Sequence, residues 1–190
     1  MTAQTFPVPR AGGSKRVLPG FTLAESLKYS DDLQATVAAA DVIFVSIPSK
    51  AFRTVLQAAR PAFRPEQMLI STTKGIETDS FALMSEILVE ESGLSRIGVL
   101  SGPNLAKEIM ARQLAGTVIA SHDEELRDSV HAVLSSPFFR VFSNTDVYGV
   151  ELGGARCALG AVGIDFRKLN ELFTCLAHNG RIERKRASYD

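Results

Sequence analysis

The sequence predicts an α/β protein built on a doubly wound, mainly parallel sheet, and three observations carry that prediction. Short β-branched or aromatic runs alternate with helix-compatible segments along most of the chain. The runs are too continuously apolar for strands with one wet face, so they read as strands buried on both faces. Two polar motifs, Thr73-Lys74-Gly75-Ile76-Glu77 and Leu100-Ser101-Gly102-Pro103-Asn104, follow directly on two of these strands. The carboxyl ends of strands are where an open α/β sheet binds its ligand.

The elements follow in order. Residues 33–40 are alanine-rich and helix-compatible, with Ser30 or Asp31 placed to cap them. Val42-Ile43-Phe44-Val45-Ser46-Ile47 is a strand ended by Pro48. Residues 50–59 return to helix and Pro61 stops it. Residues 68–72 form the next strand. Ser80 is placed to cap a helix through Glu91, with Phe81, Leu83, Met84, Ile87 and Leu88 on its inner face. After the strand 97–100, Pro103 occupies a first helical position and that helix runs to about Arg112. Residues 117–120 and 138–142 are strands flanking a helix at 123–134, whose first turn is acidic. Five strands alternating with helices imply parallel pairing through right-handed crossovers. After Asn144 the strand signal stops. Residues 147–161 read as the start of a helix interrupted by Gly149, Gly153, Gly154 and Gly160.

Composition narrows the function classes. The 190 residues are 45% hydrophobic, ample for a core, and 21 basic residues balance 21 acidic ones. Neutral balance gives no electrostatic pull toward nucleic acid or an anionic membrane. Cys157 and Cys175 are too few for a disulfide scaffold and lack metal-ligand spacing. His122, His131 and His178 are spaced neither for a metal nor around a nucleophile. No run approaches the length of a membrane span, and no secretory leader opens the chain. The expectation is a cytoplasmic protein without metal, without a nucleic-acid partner and without a membrane span. The basic run Arg181-Ile182-Glu183-Arg184-Lys185-Arg186 reads as a solvated end.

Several motifs in succession carry a resemblance. Ile47-Pro48-Ser49, Thr73-Lys74-Gly75-Ile76-Glu77, Leu100-Ser101-Gly102-Pro103-Asn104-Leu105-Ala106-Lys107-Glu108 and Tyr148-Gly149-Val150-Glu151-Leu152-Gly153-Gly154-Ala155 stand in one order. Together they resemble the bacterial NAD(P)-dependent glycerol-3-phosphate dehydrogenases. Val17-Leu18-Pro19-Gly20 resembles the loop before that family's third strand. The resemblance implies a Rossmann-like sheet, NAD or NADP as cofactor, and a phosphorylated small molecule as substrate. It implies reversible hydride transfer between NAD(P)H and dihydroxyacetone phosphate or glycerol 3-phosphate in glycerophospholipid precursor synthesis, in a possible homodimer. Carried over by position, Lys74 contacts both cofactor and substrate and is the catalytic candidate. An ammonium there can stabilise the oxygen charge that develops as hydride arrives. Gly102 and Asn104 resemble substrate contacts; Pro48, Ser49 and Ala106 resemble cofactor contacts. Read without the resemblance, Lys74 is a solvated strand-end charge, Pro48-Ser49 a strand-ending turn and Gly102-Pro103 a plain helix start.

Two departures shape the expectation. No glycine-rich G-x-G-x-x-G turn is present; Gly12-Gly13 has no strand-like run before it and the wrong spacing. The fold is thus expected to lack its usual first βαβ fingerprint and to be followed by the start of an α-helical domain. The expected division is an atypical segment 1–14, an incomplete NAD(P)-binding domain 15–144 and a fragment of a helical substrate domain 145–190. At the position of the family's general-base lysine stands Cys157, with Arg156 before it. A guanidinium stays protonated in proteins and cannot act as a base. The loss of similarity after Ala155 leads to the expectation of a truncation, for which an altered reading frame is one hypothesis. Turnover is therefore expected to be very low or absent. The competing readings are a non-catalytic or partner-dependent remnant, and another β-hydroxyacid-type dehydrogenase.

Overall fold

The structure is a computed structural model that describes residues 26–161, with side chains to residue 154. The segment read as 1–14, the part of the 145–190 segment beyond residue 161, the glycine pair at 12 and 13, the loop at 17–20, Cys175, His178 and the basic run lie outside the described residues. In chain order the elements are α1 (Leu33–Ala39), β1 (Val42–Val45), α2 (Ser49–Ala59), a 3-10 turn (Arg60–Ala62), β2 (Met68–Ser71), α3 (Met84–Ser92), β3 (Ile97–Ser101), α4 (Ala106–Met110), β4 (Ala115–Ala120), α5 (Glu124–Leu134), β5 (Phe139–Asn144) and α6 (Val147–Ala161).

Among the described residues one five-stranded sheet runs in the order β1-β2-β3-β4-β5. Alternation along each strand sends side chains to two faces. Ile43, Val45, Leu69 and Ile97 meet Phe52 and Leu56 of α2 and Met84, Ile87 and Leu88 of α3. Their neighbours Val42, Phe44, Met68, Ile70 and Leu100 meet Leu126 and Val130 of α5 on the other side. Helices therefore cover both faces, and the fold is a Rossmann-like α/β sheet. Among the described residues no helix is long and apolar enough to cross a membrane.

Uniform parallel pairing does not hold. β1–β2, β2–β3 and β4–β5 are parallel, but β3–β4 is antiparallel, with Val99 opposite Ala120 and Ser101 opposite Val118. The reason lies in the connection. Its helix, α4, has five residues, about 7.5 Å long at the α-helical rise. The five residues of β3 span about 16 Å at the strand rise. So short a helix cannot carry the chain back along the sheet, and β4 starts at the end where β3 stopped.

Local signals shift several boundaries. α1 is capped by Asp32, whose Oδ1 accepts from Ala35 N at 2.9 Å; Ser30 instead accepts from Asp32 N. The helix expected from Ser80 begins only at Met84, because residues 76–83 close a turn of their own. Glu77 N donates to Ala82 O, Phe81 N donates to Glu77 O, and Ile76 bridges Leu83. Ser80 Oγ is engaged inside that turn, with Glu77 and with Ala82 N, so it caps nothing. Phe81, expected inward, sits at positive φ with 45% of its surface exposed. Pro103 likewise precedes α4 and does not open it.

The glycines at 149, 153, 154 and 160 do not break α6, which is continuous. Asp146 Oδ1 accepts from Gly149 N at 2.8 Å and caps its first turn. Gly154 is where α6 touches β3: a Cβ there would fall 2.0 Å from Ser101 Oγ. Gly154→Ala is expected to lower stability by about 1–3 kcal/mol, the usual cost of overpacking. Adding Ser101→Ala should recover much of that loss. Chemical denaturation of the two single variants and the pair checks it; simple additivity would mean the helix does not rest on this contact.

Candidate functional site

The site is built where β1, β2 and β3 end. Thr73 laces the first two exits together: its Oγ1 donates to Ile47 O at 2.7 Å and lies 3.2 Å from Ile47 N, which donates to it. Ser46 Oγ and Thr72 Oγ1 share a hydrogen bond beside it. Gly75 then turns the chain at φ +142°, a conformation side-chain-bearing residues rarely adopt. A Cβ at Gly75 would lie 3.1 Å from Ser49 Cβ, so the turn seats against the first residue of α2. Ser49, Lys50 and residues 76–79 line a cleft of about 320 Å³ beside this contact.

From that turn Lys74 reaches across to the next strand exit. Its Nζ donates to Gly102 O at 2.7 Å. Asn104 N donates to the same oxygen at 2.8 Å. Asn104 Nδ2 donates to Thr117 Oγ1 at 3.0 Å, and Thr117 Oγ1 donates to Ser101 O at 3.1 Å. Asn104 Oδ1 is buried and has no hydrogen-bond partner among the described residues. Gly102 is fixed by its own packing: a Cβ would lie 2.8 Å from Gly116 O and 3.0 Å from Thr117 Cα.

The structure thus brings Lys74, Gly102 and Asn104 into one hydrogen-bonded group. Ser49 joins it through Gly75. Pro48 is exposed at the N-cap position of α2, where its carbonyl accepts from Ala51 N at 2.9 Å. Ala106 is exposed at the first residue of α4. The helix expected to open at Pro103 starts three residues later, and Asn104 N is used on Gly102 O. Position 157 falls within α6, but its side chain lies outside the described residues.

Two groups escaped the sequence reading. Arg53 on α2 meets Glu77 through Nε at 2.8 Å and Nη2 at 2.9 Å, and Glu91 through Nη1 at 2.5 Å. That guanidinium, with a bond from Ser80, holds the Glu77 carboxyl down at about 2. Glu77 belonged to a quoted motif, but nothing in sequence paired it with Arg53. The second is Glu151, buried where α6 crosses α3. Its Oε1 accepts from Ser85 N at 3.1 Å and its Oε2 pairs with Ser85 Oγ at 2.5 Å. Burial pushes its carboxyl up to about 7, against the lowering effect of the Ser85 bonds, and nearby Glu86 adds to the rise. Among the described residues no cluster of His, Cys, Asp or Glu is placed to hold a metal.

A two-faced α/β sheet with a lysine and paired hydroxyls at adjoining strand ends defines a Rossmann-like domain. The profile of the NAD-dependent glycerol-3-phosphate dehydrogenase N-terminus matches residues 7–127, and the chain belongs to that family. It is 52% identical over 142 residues to a glycerol-3-phosphate dehydrogenase [NAD(P)+] of Psychrobacter arcticus, covering 75% of this chain and 33% of the relative. It is 52% identical over 140 residues to that of Alcanivorax borkumensis, covering 74% and 41%. The solved glycerol-3-phosphate dehydrogenase of Coxiella burnetii superposes with a TM-score of 0.71 at 32% identity, over 76% of this chain and 44% of that one. The chain therefore spans between a third and about two fifths of the length of these curated relatives.

Glu151 gives this region a pH signature. Its folded value is about 7 and its ordinary value 4.5. Between those values the folded chain holds a proton that the unfolded chain has released, so stability falls as pH rises through this window and levels off above it. The loss is expected to approach about 3 kcal/mol, at 1.36 kcal/mol for each pH unit of displacement. Urea midpoints from pH 4.5 to 8 check this, and Glu151→Gln should remove most of the slope.

Proposed function

We propose that this chain carries the cofactor- and substrate-facing strand ends of a glycerol-3-phosphate dehydrogenase, with the cytoplasm as its compartment. The reaction is reversible hydride transfer between NAD(P)H and dihydroxyacetone phosphate. The observation that supports this best is the Lys74 ammonium spanning the exits of β2 and β3, 2.7 Å from Gly102 O. In this reading residues 15–144 are the cofactor-binding part and residues 145–190 begin the substrate domain.

The residues present fit a nicotinamide dinucleotide in part. A cleft of about 320 Å³ lies at the small end of ligand pockets, about 300–1,000 Å³. It suits one half of a dinucleotide, and the hydroxyl of Ser49 and the ammonium of Lys50 suit polar, anionic groups there. Pro48, Ser49 and Ala106 are the residues assigned to hold the cofactor, which when bound supplies the hydride. Lys74 meets the substrate carbonyl oxygen and stabilises the negative charge that grows on it. Gly102 and Asn104 position the substrate; Asn104 Oδ1, buried without a donor, is the acceptor left for a substrate hydroxyl.

A second reading is a binding module with little turnover. It is favoured by Arg156 and Cys157 at the positions where the resemblance places leucine and the general-base lysine. A positioned base contributes about 10²–10⁴-fold, so its replacement alone lowers the rate strongly. NAD(P)H oxidation with dihydroxyacetone phosphate, together with nicotinamide fluorescence on binding, separates the readings. Binding with slow turnover is expected. Lys74→Ala should cut any turnover by about 10²–10³-fold, the cost of removing one donor to a developing oxyanion. Absence of NADH and NADPH binding, or turnover indifferent to Lys74→Ala, would overturn the assignment.

A further inference from the structure

We propose that Arg53 is the positioning residue for Lys74: by gripping Glu77 it fixes the far end of the strand-exit turn from which Lys74 reaches Gly102. The inference rests on the reading of Lys74 as the group that meets substrate, and it concerns how that group is held.

The turn has two anchors and a loose link between them. Upstream, Thr73 is tied to Ile47 by donated and accepted bonds. Downstream, Glu77 closes the turn 76–83 through its backbone and through Ser80. Between the anchors stand Lys74, Gly75 and Ile76, the last bridged to Leu83. Gly75 is at φ +142°, and glycine loses more conformational freedom on ordering than any other residue. The link is therefore soft unless both ends are held.

What holds the downstream end is Arg53. Its guanidinium takes Glu77 side-on, with Nε on Oε1 at 2.8 Å and Nη2 on Oε2 at 2.9 Å. That two-point geometry fixes direction as well as distance. The guanidinium is itself braced from behind by α3, with Glu91 at 2.5 Å and Glu90 at 2.9 Å. Glu91 is buried and accepts a further bond from Gln57. Arg53 also lies four residues after Ser49, on the same side of α2. One helix thus presents Ser49 to the near side of the turn and Arg53 to its far side.

The test reads Lys74 directly and needs no cofactor. The whole chain is treated with trace acetic anhydride, and acetylation is followed residue by residue by mass spectrometry. Lys28, Lys50 and Lys107, all exposed, serve as internal references. In the unaltered chain Lys74 is acetylated more slowly than these. Arg53→Met and Glu77→Gln should each raise its relative rate about fivefold, the equivalent of one lost hydrogen bond. Arg53→Lys keeps the charge but not the fork and should not restore the protection. An unchanged relative rate in both variants, or full protection in Arg53→Lys, would overturn the proposal. Should Arg53→Met unfold the chain and raise all four lysines together, Glu77→Gln decides alone. Failure of the dehydrogenase reading shows separately, as absent NAD(P)H binding with the Lys74 protection intact.

Discussion

Leu69 and Ile70 are neighbours on β2, point to opposite faces of the sheet, and neither keeps accessible surface. That pair states the constraint on which the rest of the molecule depends. A parallel strand in mid-sheet must be covered on both sides, and only helices connecting the strands supply that cover. α2 and α3 seal the Leu69 side; α5 seals the Ile70 side. With both faces of β1 and β2 apolar and dry, the polar side chains that follow them gather at the strand ends. Ser46, Thr72, Thr73 and Lys74 collect there because the strands stop there. The site is a consequence of how the core is closed.

The strands were legible in sequence because two-face burial writes itself as continuous apolar runs. The meeting of Lys74 with Gly102 was legible for the same reason, since both follow such runs by the same short distance. Direction was not. The antiparallel turn into β4 depends on the length of α4, and the residues after Pro103 do not announce a five-residue helix. The start of α3 was misread because Ser80 looks like a cap and bonds inside a turn, the competition that serine side chains offer to helices. Arg53 with Glu77 and Ser85 with Glu151 were illegible for a simpler reason. Their partners lie 24 and 66 residues apart, and no local pattern connects them.

Those two carboxylates show opposite electrostatic solutions. Glu77 sits in a two-point grip with Arg53 and gains more from the ion pair and the Ser80 bond than it loses by desolvation. It supports the fold above its ordinary range, and that support fades as pH falls toward about 2. Glu151 has hydroxyl and amide donors, whose lowering effect is smaller than that of burial, and desolvation wins. The contrast follows position. Glu77 braces a turn at the rim, where an arginine can reach it with its charge partly in water. Glu151 is on the buried side of α6 against Ser85 of α3, where neutrality in the lower pH range is the cheaper state.

The hydrogen bond between Lys74 and Gly102 bears on the proposed chemistry through what it leaves available. An ammonium has three donors, and the bond to Gly102 O uses one of them. Gly102 O accepts also from Asn104 N, so it remains satisfied if Lys74 turns away. A substrate oxygen arriving at the β2 exit can then take over the Lys74 bond without leaving that carbonyl unpaired. The exchange is one charge-assisted hydrogen bond for another, and its cost is low because the alternative acceptor stays served. Binding energy from the rest of the substrate need not be spent on releasing the lysine. The same geometry makes orientation the weak point. An ammonium that is easily transferred is also easily misaimed, and it is the anchored turn from Thr73 to Glu77, more than the Gly102 bond, that confines where it can point.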